Sequence, residues 1–332
     1  MQKKTNAHGR PALAMDALQT VNLGTGRHWI RVRGTSTSNP PLLLMQLGPG
    51  LPIINEARRF ERLLALEDAF TVIYWDQRGT GLSLRDVSNR SNLNVAHMVA
   101  DTVSMLKRLR DRFGAAPVVA GFSFGATFAA YAAVQRPDLV VTLIAVGMDV
   151  DLAAAETNAY AFALRTARER GNRRAARQLE RIGPPPHLGL KEFSTRVRWV
   201  ANFGGVATNA SYNATARALL VSLARSRDYS PADVIRTFRG IRASQAALVP
   251  ELAATDLVRT MPRVGVPIVM VQGRLDQVAP GEAAQRFYDA LDAPSKQLVW
   301  FEQSAHTPHL EEPERFRDVV MMVRTSRIAD TS

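Results

Sequence analysis

One pentapeptide constrains the fold more than any other part of the chain. Residues 117–121 (PVVAG) form a short apolar run, and Gly121-Phe122-Ser123-Phe124-Gly125 follows at its end. A helical run then covers residues 126–135. A strand that turns this sharply into a helix puts its apex residue at strained dihedrals, and glycines on both sides remove the clashes that larger side chains would make. The turn lifts the Ser123 hydroxyl above the end of a sheet and points it at a helix N-terminus. That is the position of a serine nucleophile.

The rest of the chain supplies the sheet. Residues 28–33, 42–46, 70–75 (FTVIYW), 139–146, 267–271 (PIVMV) and 297–301 (QLVWF) read as further strands. Runs without polar alternation fit strands covered on both faces. Helical spacing separates them. Val95, Met98, Val99, Val103, Leu106 and Leu109 recur every three or four residues, as one face of a helix does. Alternating strands and helices predict a mostly parallel sheet with helices on both sides. The alternation stops near Asp149. Helical patterns cover residues 152–170, 173–182, 192–203, 214–226 and 231–249, punctuated by Pro184, Pro185 and Pro186. The expected organisation is one α/β core made of residues 1–148 and 263–332, interrupted by a helical cap at 149–262.

A serine needs a base, and in this kind of sheet an acid and then a histidine follow it in chain order. His306 lies in Ser304-Ala305-His306-Thr307-Pro308, directly after the QLVWF strand. His309 is its rival, and reads as a surface residue near a helix start. Asp276 follows the PIVMV strand in Gly273-Arg274-Leu275-Asp276. It would hold the imidazole in the right tautomer and stabilise the imidazolium. An oxyanion hole needs two backbone N–H donors. Phe124, next to the serine, and Gly48, in the loop Leu47-Gly48-Pro49-Gly50, are placed to give them. Asp76 and Arg78, in the segment DQRGTGLS, read as structural ion partners rather than catalysts.

Composition closes several other routes. The 332 residues contain no cysteine, which excludes disulfides, cysteine metal sites and a thiol nucleophile. The His306/His309 pair offers only two ligands, so no metal is expected. The net charge is +12, and arginine supplies most of it. No basic run or nucleic-acid motif accompanies that charge, so no nucleic-acid partner is expected. Residues 149–262 carry 17 basic against 10 acidic residues, which weights the charge toward the cap. The longest strongly apolar run, residues 139–148, is half of the ~20 residues a membrane span needs. Lys3 and Lys4 lead into Asn6, His8, Gly9 and Arg10, where the apolar core of an export signal would begin. A cytoplasmic protein without a membrane span is the expectation. The sequence leaves its oligomeric state open.

The order of the Gly-Pro-Gly loop, DQRGTGLS, GFSFG, GRLDQVAP and SAHTPHLEEPERF resembles the α/β-hydrolase superfamily. Within it, the chain most resembles proline iminopeptidase-like serine hydrolases, from about Trp29 to Phe316. The resemblance implies an α/β-hydrolase fold with an inserted helical cap. It implies the triad Ser123, Asp276 and His306, no cofactor, and a small-molecule or short peptide substrate. Such peptidases bind the substrate's α-ammonium with acidic cap residues. Asp149, Asp151 and Glu156 are candidates because they sit where the cap begins. Phe122, beside the nucleophile, is a further candidate contact. The family loop His-Gly-Gly-Pro-Gly reads Gln46-Leu47-Gly48-Pro49-Gly50 here, and Phe124 replaces the usual Trp. Two activities fit: release of an N-terminal residue, or an esterase, lactonase or tailoring reaction on a hydrophobic small molecule. A slow-turnover ligand-binding protein is a remote third reading.

Overall fold

Strands with no polar alternation end up buried on both faces, and two of them anchor the sheet. Every residue of β3 (Pro41–Met45) and β4 (Thr71–Asp76) is buried. The structure is a computed structural model that describes residues 12–24, 26–90 and 92–330. Lys3, Lys4 and their neighbours lie outside that range. The chain begins with β1 (Met15–Asn22) and β2 (Arg27–Gly34), and α1 (Ala57–Leu64) lies between β3 and β4. Then come α2 (Val95–Phe113), β5 (Val118–Phe122), α3 (Phe124–Gln135) and β6 (Leu143–Val146). Helices α4 (Leu152–Glu169), α5 (Arg173–Ile182), α6 (Leu190–Asn202), α7 (Tyr212–Arg225), α8 (Pro231–Leu252) and α9 (Leu257–Thr260) follow. The chain then returns through β7 (Ile268–Gly273), α10 (Gly281–Ala290), β8 (Lys296–Phe301), α11 (Pro308–Glu311) and α12 (Pro313–Asp330).

The eight strands form one sheet in the order β1-β2-β4-β3-β5-β6-β7-β8. β2 is antiparallel to β1 and β4, and the remaining pairs are parallel. Alternate side chains feed two cores. Leu43, Met45, Ile73 and Trp75 pack on one face, and Leu42, Leu44, Val72 and Tyr74 on the other. The parallel register sets Met45, Gly121, Ala145 and Met270 in one row. The loops that leave β3, β5, β6, β7 and β8 therefore open on the same rim.

Two strand expectations change. β1 mixes polar and half-buried residues, so it carries no apolar run, and its pairing with β2 is what makes it a strand. Residues 139, 140 and 142 are buried and Val141 partly so, but none of the four is strand. Pro137 starts a 3-10 turn over Pro137–Leu139, and the strand begins at Leu143.

Only helices occur between β6 and β7 among the described residues, and polar contacts dock them on the core. Arg85 pairs with Asp233 at 2.7 Å, and Arg31 with Asp228 at 2.7 Å. α8 crosses the rim so closely that a Cβ on Gly50 would lie 2.5 Å from Ile241 Cα. The docking centre is Asp76, at the end of β4. Its carboxylate accepts the amides of Ile53 (2.9 Å), Ile54 (3.1 Å) and Leu82 (2.8 Å), and the hydroxyl of Tyr229. The expected ion pair thus forms elsewhere. Arg78 pairs with Asp101 at 2.7 Å, while Asp76 binds backbone.

Asp76→Ala should lower stability by at least ~3 kcal/mol, because several buried donors lose their acceptor at about 1–3 kcal/mol each. Urea unfolding checks this through the midpoint at constant slope. A loss under ~1 kcal/mol would show that the network reorganises without cost.

Candidate active site

The turn after β5 takes the strained form that its sequence predicts. Ser123 has φ 51° and ψ −124°, and its amide donates to Val146 O at 2.8 Å. Space explains the flanking glycines. A Cβ on Gly121 would lie 2.5 Å from Ala126 Cα, and one on Gly125 would lie 2.3 Å from Gln46 O. The first turn of α3 is thereby pressed against the loop that leaves β3. Phe124 opens α3, so its N–H is among those a helix start leaves without an intrahelical acceptor. Gly48 lies in the abutting loop at φ +69°, and Gly50 at +83°.

Asp276 sits in the loop after β7. Its Oδ1 accepts the amides of Val278 (2.7 Å) and Ala279 (2.9 Å), which fixes the carboxylate plane. Its Oδ2 meets His306 Nδ1 at 2.8 Å. His306 is held from both sides. Its amide donates to Val206 O at 2.9 Å, and a Cβ on Gly147 would lie 3.1 Å from Nδ1. Glu311 ties down the same loop through Ala305 N at 3.1 Å and Thr307 Oγ1 at 3.1 Å. Burial works against a charged imidazole. The adjacent Asp276, helped by Asp149 and Glu311, outweighs it and makes His306 more basic than a free histidine.

A third ionisable group completes the cluster. Asp149 lies three residues past β6, and its Oδ2 accepts the Ser123 hydroxyl at 2.9 Å. Burial, the largest influence, pushes its carboxyl up to about 6, against the opposing effects of His306 and the Ser123 hydrogen bond. Ser123, Asp149, Asp276 and His306 are all buried.

The other acidic and aromatic candidates lie in different surroundings. Asp151 caps α4 by accepting Ala154 N at 3.0 Å, and faces Arg286 at 3.6 Å. Glu156 pairs with buried Arg196 at 2.6 Å and also accepts His187 N. Phe122 is buried in the core against His309, with ring centroids 4.3 Å apart. His309 is a buried residue rather than a surface one, and Phe60 and Phe316 complete its aromatic surroundings. Burial, aided by His306 and Arg59, pushes its imidazole down to about 3.

That burial sets a pH dependence. The unfolded chain takes a proton at His309 below its ordinary value of 6.5, and the folded chain does not until about 3. Stability is therefore full above pH ~6.5 and falls as the pH drops from there toward 3. His309→Phe, which keeps an aromatic ring in place, should move the acid-unfolding midpoint to lower pH. An unchanged midpoint would contradict the neutral, buried state.

Comparison with known proteins agrees with the fold. The model of the serine aminopeptidase S33 family matches residues 57–313. A Bacillus subtilis (strain 168) protein named "Probable aminopeptidase YbaC" is 29% identical over 306 residues, covering 91% of this chain and 94% of that protein. The crystal structure of the proline iminopeptidase of Mycobacterium smegmatis superposes with a TM-score of 0.63 at 19% identity, covering 95% of this chain and 100% of the other. The esterase RhEst1 from Rhodococcus sp. ECU1013 gives 0.61 at 17% identity, covering 93% and 98%. No helix among the described residues is long and apolar enough to cross a membrane. The chain belongs to the serine aminopeptidase S33 family and is a hydrolase with the α/β-hydrolase fold.

Proposed function

We propose that the protein cleaves an amide or ester through an acyl-enzyme on Ser123, and that its substrate is an aminoacyl group at the end of a short peptide or small molecule. The observation that carries this reading is the buried Asp276–His306 pair, 2.8 Å apart, on the same rim as the positive-φ serine. His306 takes the Ser123 proton as Oγ attacks the carbonyl. The oxyanion rests on the amides of Phe124 and Gly48. His306 returns the proton to the leaving amine or alcohol, and water, activated in the same way, releases the acyl group. Asp276 holds the imidazole and balances its charge. Residues 149–262 act as a cap that selects the substrate. No cofactor enters any step. The family and the Bacillus relative support the aminoacyl assignment.

A second reading is an esterase, lactonase or tailoring hydrolase for a hydrophobic small molecule. The excess of basic residues in 149–262 favours it, since that charge opposes an ammonium group.

Turnover of a proline arylamide and of a p-nitrophenyl ester separates the two. The aminoacyl reading expects arylamide cleavage, reduced at least ~10³-fold by Ser123→Ala. Ester cleavage without arylamide cleavage selects the second reading. Full activity in the alanine variant rejects Ser123 as nucleophile.

A further inference from the structure

Acyl transfer as described leaves Asp149 without a task, yet its carboxylate is hydrogen-bonded to the reacting oxygen. Its backbone is fixed, because its carbonyl accepts Thr127 Oγ1 at 3.1 Å from α3. Its Oδ2 takes the Ser123 hydroxyl at 2.9 Å. A serine hydroxyl has one proton, so a hydroxyl that donates to Asp149 is not donating to His306. Two carboxylates, Asp149 and Asp276, thus share one imidazole and one hydroxyl. The charged groups that act on Asp149 are His306 and Asp276. Among the described residues no lysine or arginine pairs with this buried carboxylate, and the positive group that acts on it is His306.

We propose that Asp149 restrains the nucleophile of the free enzyme, holding the Ser123 hydroxyl away from His306 until a positive charge on the acyl side of a substrate takes up the carboxylate. This rests on Ser123 being the nucleophile, as argued above. The restraint acts twice. It misdirects the hydroxyl, and its charge adds to that of Asp276 in holding a proton on His306, which must be neutral to serve as base. An ammonium bonded to the carbon next to the scissile carbonyl comes within reach of Asp149 as that carbonyl meets Oγ. It cancels the negative charge and accepts the role of donor to the carboxylate. Ser123 then turns to His306, the Oγ–C bond forms, and the hydroxyl proton passes to the imidazole. A neutral acyl group brings no such charge and meets a restrained serine. Asp149 is in this sense a positioning residue that selects by charge.

The test compares acylation by p-nitrophenyl acetate and by glycine p-nitrophenyl ester, read as the pre-steady-state release of p-nitrophenolate. Wild type, Asp149→Ala and Asp149→Asn are used at pH 5–8. The wild type should prefer the glycyl ester. Asp149→Ala should raise acetyl transfer about five- to tenfold, the effect of removing one net hydrogen bond, and should lower glycyl transfer. The acid limb of acetyl transfer should also move about one pH unit lower, because a nearby carboxylate that favours the imidazolium is gone. Asp276, Glu311 and His309, the other titratable groups acting on His306, remain in place. A role in holding the fold alone would not move that limb. Asp149→Asn keeps an acceptor oxygen without the charge, so it should move the limb with a smaller gain in rate. It also carries the test if the alanine variant does not fold. Slower or unchanged acetyl transfer in Asp149→Ala overturns the proposal, as does an unmoved limb in both variants. Esters serve both arms, so a failure to cleave arylamides rejects the aminopeptidase reading without touching this result.

Discussion

The turn at Ser123 is the constraint on which the other parts of the site depend. A non-glycine residue at positive φ is held in place only when its surroundings leave no alternative, at a cost of ~1–3 kcal/mol. Here the surroundings are specific. β6 accepts the Ser123 amide at Val146, α3 starts immediately, and the β3 loop closes against Gly125. Because β3, β5, β6, β7 and β8 are parallel neighbours, fixing the serine at this rim also fixes which loops it can meet. The Gly48 loop, Asp149, Asp276 and His306 are each the product of one of those strand ends.

Burial then determines what these groups can do. His306 and His309 are three residues apart, both are buried, and their proton affinities move in opposite directions. His306 faces a carboxylate whose orientation is set by two backbone amides, and becomes more basic. His309 faces Phe122, Phe60 and Phe316 and stays neutral down to about pH 3. The difference comes from what each ring touches. Asp149 shows the converse case, a carboxyl made less acidic by burial beside a hydroxyl. Asp76, at the end of β4, accepts the amides of Ile53, Ile54 and Leu82 and the hydroxyl of Tyr229, and so joins the β3 loop to the segment between α7 and α8.

Much of this was legible in the sequence wherever the signal is local. The apolar runs gave seven of the eight strands to within a few residues, and the helix over 173–182 falls where the spacing put it. Asp276 and His306 are marked by the strand ends that they follow, and the structure sets them 2.8 Å apart. What was not legible depends on contacts between distant residues. β1 is a strand because β2 lies beside it, and its own pattern is half polar. Asp151 and Glu156 resembled Asp149 in type and place, yet one caps a helix and the other neutralises Arg196. The pairing of β5 with β6 brings the two loops together, and the hydrogen bond from Ser123 singles out position 149. His309 reads as a surface residue until α12 brings Phe316 over it.

We propose Ser123, set at this turn and served by His306, as the nucleophile of the protein. Reaction with a serine-directed fluorophosphonate, followed by peptide mass mapping, tests it most directly. One adduct is expected, on Ser123, formed far more slowly when His306 is replaced by alanine. An adduct on another residue, or labelling of Ser123 at the same rate without His306, would contradict it.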